Sequence, residues 1–158
     1  MTSFDTYLPA ILEQAEREAQ RDGASTFEVH HLLLAISAVG EGTTTTALES
    51  AGLNYQAIQE MFQREFEHSL STAGVSLASA DLPKPTPGPG RPKVGTSVKL
   101  ALERSLAAVT RKKDLHPAHL LLGVVQAPVG TVPRALALAG ISQAELLAGI
   151  EQVLADQK

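Results

Sequence analysis

Four of the five histidines in this 158-residue chain fall in two short groups, His30-His31 and His116-Pro117-Ala118-His119. Imidazoles at i and i+3 share one face of a helix, so the second group has the spacing of two metal ligands or of a base beside a nucleophile. A zinc site takes three or four ligands. Near this group Asp114 is the only carboxylate in sequence, and the chain has no cysteine. Hydrolysis needs a nucleophile, a base and an orienting acid together. Serines are present, but no Gly-x-Ser-x-Gly elbow occurs, and the only paired arrangement is His30-His31. The expectation is therefore no catalytic residue, no metal and no cofactor, with a metal-dependent or hydrolytic enzyme as the alternative of a different class. The better reading of His31 and His119 is structural: each sits near a helix start and ties neighbouring backbone through its ring nitrogens.

The elements that would carry these residues are helical. Leu8, Ile11, Leu12, Ala15 and Ala19 recur at helical spacing, with Glu13, Glu16, Arg17, Glu18 and Arg21 on the other side and a stop near Gly23. Ser25-Thr26 is expected to cap a second helix carrying His31 to Ile36, broken by Gly40 and Gly42. Thr43 to Thr46 look unlike a helix interior, because branched side chains lose rotamer freedom there. They should lead into a short helix through Ala47, Leu48 and Ala51, closed by Gly52 as its C′ residue. Asn54 can cap a fourth helix that buries Ile58, Met61, Phe62 and Phe66. From Asp81 to Pro92 the density of proline forbids helix and predicts an extended, semi-rigid linker. A proline-rich ligand for an SH3-like partner is the lesser reading. Beyond it Val98, Leu102, Leu106 and Val109 mark a helix capped near Thr96 or Ser97, with Arg111-Lys112-Lys113 in its last turn. His116-Pro117 opens the next helix, Ala135 and Leu136 mark a third, and Ser142 caps a last one burying Leu146, Ile150 and Val153.

The chain states this pattern twice. His31-Leu32-Leu33-Leu34-Ala35-Ile36 recurs as His119-Leu120-Leu121-Leu122-Gly123-Val124, and the same shift carries Ala51-Gly52-Leu53 onto Ala139-Gly140-Ile141 without a gap. Two copies of one helical unit follow, with the connection from first to second helix expected to be shorter in the second copy. The fold class is all-α, a tandem repeat of two four-helix units: residues 1–70, a linker at 71–94, and residues 95–158. Charge divides unevenly between them. Residues 1–80 hold three Lys/Arg and eleven Asp/Glu, whereas residues 81–158 hold ten and six. Complementary packing of the halves, two unlike faces or plain drift of solvated surface would each produce this. The one basic cluster has no aromatic neighbour on which a base could stack, so no nucleic-acid partner is expected. No apolar run approaches the roughly 20 residues of a membrane span. The first ten residues lack a basic start and an apolar stretch, which leaves the cytoplasm as the expected location.

These residues resemble the amino-terminal domain of the Clp unfoldases, the AAA+ partners of the Clp protease. That family carries two four-helix copies, each with a Glu-His-(Ile/Leu)-Leu-Leu-(Gly/Ala)-(Leu/Ile) segment and a later Leu-x-x-(Leu/Ala)-Gly-(Ile/Val/Leu) segment. The matching runs here are His30 to Ile36 with Leu48 to Leu53, and Ala118 to Val124 with Leu136 to Ile141. Phe4 matches the phenylalanine that opens the family's first helix. The resemblance implies eight helices in two pseudo-twofold bundles and a role in binding adaptors, substrates or degradation tags for an ATPase ring. No Gly-x-x-x-x-Gly-Lys-(Ser/Thr) phosphate loop occurs, so the ring is not in this sequence. The chain reads as a free-standing version, with an excised domain as the alternative.

Resemblance also nominates site residues. The family places Glu before each motif histidine, and in some members this acid helps bind phosphoarginine. Here those positions are His30 and Ala118, which offer no carboxylate to a guanidinium. Phe4, Val94 and Lys99 align with a surface between the repeats that in some relatives takes up cyclic peptides, and Val94 replaces a larger aromatic. The expected function is a non-catalytic protein- or peptide-binding module of the Clp proteolysis system, an accessory, adaptor-like protein or competitor of the unfoldase's own domain. Its partners would be the unfoldase, its adaptors or its substrates. The alternative is a decoy that sequesters a cyclic-peptide or other small-molecule ligand of that domain.

Overall fold

The computed structural model describes residues 3–74 and 91–157. Among them eight α-helices follow one another in two runs of four. The first run is α1 (Ser3–Arg21), α2 (Val29–Val39), α3 (Gly42–Ser50) and α4 (Tyr55–Thr72). The second is α5 (Thr96–Ala107), α6 (Pro117–Val125), α7 (Thr131–Leu138) and α8 (Gln143–Ala155). Two strands of two residues each, β1 (Thr26–Phe27) and β2 (Lys93–Val94), pair in parallel, with Thr26 opposite Lys93 and Phe27 opposite Val94. The chain is thus all-α in architecture, and the one strand pair joins the two runs just before α2 and α5.

Helices α2 and α6 form the centre. Their apolar residues leave no polar stripe, the mark of a helix enclosed by protein. Seven of the eleven residues of α2 and eight of the nine of α6 are buried. Leu32, Leu33, Leu120 and Leu121 are fully enclosed, and each such side chain contributes about 1.5–3 kcal/mol relative to exposure. The two runs also interlock at the periphery, α4 packing on α7 and α3 on α8, so a single apolar cluster extends through both. Gly52 and Gly140 end α3 and α7 at matching places, with φ of 75° and 73°. These are left-handed values that favour glycine.

Several local expectations give way to packing. Thr43, Thr44 and Thr46 lie inside α3, which starts at Gly42. Their hydroxyls find partners on the preceding turn: Thr44 Oγ1 donates to the Glu41 carbonyl at 3.0 Å and Thr46 Oγ1 to that of Gly42 at 2.9 Å. Ser25-Thr26 does not cap α2; Thr26 is spent on the strand pair, and the N-cap residue is Glu28. Glu18 is buried rather than solvated, because the Tyr55 hydroxyl sits over its carboxylate at 2.7 and 2.9 Å. Phe66 and Leu106, expected inside, are each about half exposed. α5 ends at Ala107, so Arg111-Lys112-Lys113 lies beyond its last turn, and Lys112–Asp114 forms a separate 3-10 turn. The connection between the first and second helices is also longer in the second copy, from residue 108 to 116 against 22 to 28 in the first, because α5 stops early. α4 runs to Thr72 and β2 occupies Lys93–Val94. The predicted extended run from Asp81 to Gly90 lies outside the described residues.

The crossing of α5 and α6 is close. A Cβ on Gly123 would fall inside the van der Waals radius of the Ala101 carbonyl oxygen and Ser105 Oγ. Gly123→Ala should therefore destabilise the fold by about 1–3 kcal/mol in urea denaturation, as overpacking does, despite alanine's helix preference. Gly149→Ala, which meets open space in α8, should be stabilising by about 0.5–1 kcal/mol.

Candidate functional site

A helix start enclosed by protein must find partners for amides that have no turn before them. In α2 the third helical residue is His31. Its Nδ1 accepts the Glu28 N–H at 3.0 Å, which places the ring proton on Nε2, and Nε2 lies 2.7 Å from Asp22 Oδ2. Both nitrogens of a ring that is 2% exposed are thereby engaged. In α6 the third residue is His119, whose Nδ1 accepts the His116 N–H at 2.9 Å. His116 Nδ1 in turn accepts the Ala118 N–H at 3.2 Å. The motif histidines thus do the backbone work expected of them, in the same place in both copies.

A second arrangement joins the copies. The Glu28 carboxylate accepts hydrogen bonds from Thr26 Oγ1 and Ser97 Oγ, each at 2.7 Å, and from the Ser97 backbone N–H. Ser97 Oγ accepts the Val29 N–H at 2.8 Å. The N-cap of α5 is Gly95, which has no side chain to offer, and a Cβ there would collide with the Glu28 carboxylate. An acid of the first copy therefore caps a helix of the second. Burial opposes the charge on Glu28, but the hydrogen bonds from Thr26 and Ser97 outweigh it and hold the carboxyl below its ordinary range. A second tie between the copies is Glu65 of α4, which accepts from Arg134 of α7 at 3.0 Å and from Ser69 at 2.7 Å, and it too is held low against the effect of burial.

The residues nominated from sequence divide between this seam and the core. Val94, 40% exposed, ends β2, and Lys99, also exposed, lies in the first turn of α5. His30 follows Val29, whose amide binds Ser97. Its ring lies 4.0 Å from that of His31 and edge-on to Phe62 at 5.6 Å. Burial, then the neighbouring His31, pushes His30 down to about 4, so it is neutral at physiological pH. Phe4 is only 5% exposed and belongs to the core, and Ala118 is fully buried at the start of α6. Sequence reasoning did not single out Glu28, Asp22, Glu65 or Arg134. Glu28 had a readable signal, three residues before His31 at a helix start. The others are joined only by the fold.

Asp22, His30 and His31 bring one ligand atom each within 4.8 Å of one another. The wiring of His31 opposes a cation there. A metal on Nε2 would require an imidazolate, or loss of the Glu28 amide bond that α2 depends on.

The model of the Clp_N family, the Clp repeat N-terminal domain, matches residues 3–91, more than half of the sequence, and the chain belongs to that family. The second copy lies past the matched range, but similar solved structures include it. The N-terminal domain of the caseinolytic protease associated chaperone ClpD from Arabidopsis thaliana covers 92% of this chain, and 90% of that chain is covered, at TM-score 0.61 and 16% identity. The Hsp104 N-terminal domain from Candida albicans covers 90%, with 85% of that chain covered, at TM-score 0.56 and 15% identity. A chain from a malarial protein secretion system covers 91%, with 89% of that chain covered, at TM-score 0.58 and 16% identity. At such identities these likenesses concern the fold. No curated protein matches the sequence. Among the described residues no helix is long and apolar enough to cross a membrane.

Glu28→Gln replaces an acceptor with a donor facing two hydroxyl donors. It should cost about 1.5–3 kcal/mol in urea unfolding near pH 7, the range for hydrogen bonds to charged groups. Because the folded carboxyl titrates below its ordinary 4.5, the stability it confers is present above about that pH. It is lost as pH falls through the lower folded value. The gap between wild type and variant should accordingly narrow as the pH is lowered below 4.5 and the folded carboxyl becomes protonated.

Proposed function

We propose that the chain is a non-catalytic protein- or peptide-binding module of the Clp proteolysis system, an accessory or a competitor of the unfoldase's own N-terminal domain. The observation that carries this reading is membership of the Clp repeat N-terminal domain family. Supporting it, the histidines that might suggest chemistry are engaged in closing helix starts. We assign the two repeats to residues 1–70 and 95–158, joined by the segment 71–94, and the cytoplasm as the place of action.

The surface favoured for partner binding is the seam at Val94 and Lys99, with His30 at its edge. The Glu28–Ser97 pairing holds it rigid, so a partner would meet preformed backbone. The acids that read a phosphoarginine tag in some relatives are replaced by His30, neutral, and Ala118, buried, and the cargo is therefore proposed to be a protein segment of other chemistry. Enclosure of Phe4 and the small Val94 leave little aromatic surface for a cyclic peptide, so the protein partner is preferred over the decoy reading.

Capture from a lysate of the source cell by the immobilised full chain should recover Clp unfoldase, its adaptors or its substrates. The double variant Val94→Glu/Lys99→Glu changes only exposed side chains and should lose at least tenfold of that material. Equal recovery by both proteins would remove the seam from the account. Recovery of nothing from the Clp system would overturn the accessory reading.

A further inference from the structure

The strand pair that joins the two runs is open on one side. Lys93 donates its N–H to the Ser25 carbonyl and Gly95 to that of Phe27, each at 2.9 Å. In a parallel ladder successive residues send their backbone groups to opposite sides. Val94, between two residues that bond to the first run, therefore turns its N–H and C=O away from β1. Neither group has a hydrogen bond among the described residues. Lys93 and Val94 are both exposed. A strand residue with an unused donor and acceptor at the surface is a template for another chain.

The edge is short and anchored at both ends. Pro92, just before it, is buried and has no amide to offer, and α5 takes up the backbone from Thr96. At the other end Gly95 is buried against the Glu28 carboxylate. One residue is left to pair, so the open-ended stacking of strands has no long ladder to extend. Charge adds a selection. Lys93 and Lys99 are exposed and enter no ion pair among the described residues. Two acids near the strands are engaged: Glu28 accepts from Thr26 and Ser97, and Glu16 accepts two hydrogen bonds of 3.0 Å from Arg91. Glu103, the one acid of α5, lies a turn beyond Lys99. Lys93 is on the strand itself, so a residue facing it on an added strand would lie about 5 Å away at Cβ.

We propose that β2 is a docking edge, to which an extended segment of a partner protein adds as a third strand, antiparallel, with a β-branched side chain facing Val94 and a carboxylate at the next position facing Lys93. Antiparallel pairing lets one residue exchange both backbone hydrogen bonds with one residue opposite, which suits an edge with a single free residue. The backbone bonds supply attraction and the facing side chains supply the choice of partner. The inference rests on the reading of the seam as the partner surface, and it names what that surface takes: extended backbone carrying an acid.

The test is titration of the uniformly ¹⁵N-labelled full chain with acetyl-Thr-Val-Glu-Thr amide, with the same peptide carrying N-methylvaline, and with the peptide carrying glutamine in place of glutamate. The parent probe should shift the amides of Lys93, Val94 and Gly95 saturably, and the Val94 amide proton should move downfield as it becomes hydrogen-bonded. The N-methylvaline probe keeps every side chain but cannot donate to the Val94 carbonyl, and it should bind at least tenfold more weakly. The glutamine probe should bind about threefold more weakly, within the range for a cross-strand charge pair. Lys93→Glu, a change at an exposed side chain, should reverse the preference between glutamate and glutamine. Equal binding of the N-methylvaline probe, a Val94 amide proton that does not move, shifts confined to other residues, no saturation by the parent probe, or a glutamate preference untouched by Lys93→Glu would each overturn the proposal. Lysate capture that is lost in Val94→Glu/Lys99→Glu, beside equal binding of the methylated probe, would keep the seam as the partner surface and remove strand addition. Selective binding of the parent probe with no Clp protein captured would keep the docking edge and remove the accessory reading.

Discussion

Two largely buried helices are the constraint on which this molecule depends. α2 and α6 supply the core, and the N-cap amides at their starts find their partners within the protein. The histidine at the third helical position answers that need in both copies by accepting the N-cap amide at Nδ1. The consequence extends beyond the turn. Once Nδ1 is an acceptor the proton must reside on Nε2, so each motif histidine becomes a one-way donor pointing away from its helix. In the first copy it meets Asp22; in the second the histidine is one of the residues lining an open groove. An identical solution to a folding problem thereby leaves two different surfaces.

The copies are then bound to each other by acids whose partners lie across the duplication. Glu28 reaches the start of α5, where glycine at the N-cap leaves space for it, and Glu65 receives Arg134 from α7. Interactions of this kind specify geometry more than they add net stability, since each partly buried carboxylate gives up hydration to make them. The apolar contacts of α2 with α6, and of α3 and α4 with α8 and α7, supply the attraction; the acids set the register in which those faces meet.

Much of this was legible in the chain. The repeated His-Leu-Leu-Leu runs, the caps at Asn54 and Ser142, and the Gly52 and Gly140 stops are local, and local signals survive folding. The errors have a common physical origin. Glu18 reads as solvated because its neighbours in sequence are charged, yet Tyr55 arrives from 37 residues away to cover it. Phe66 and Leu106 read as core because helical spacing continues through them, although the partner helix does not. Thr43 to Thr46 read as non-helical on rotamer grounds that apply to helix interiors rather than to a first turn next to Glu41. For the candidate site, Val94 and Lys99 are nominated by family likeness alone, and no spacing in the sequence could connect Glu28 with Ser97 or Glu65 with Arg134.

Those last two pairs share a feature of some consequence: each joins residues separated by 69 positions, and both spans include the proline-rich stretch. The entropy of closing such a loop grows only logarithmically, so doubling its length would cost about 0.6 kcal/mol. Because insertions between the copies are thermodynamically cheap, the stretch between α4 and β2 is free to diverge in length and composition. The ties on either side are not, because each is fixed by a helix start or a helix face. A protein built in this way can acquire a new tether, tag or recognition segment at its midpoint without renegotiating its core.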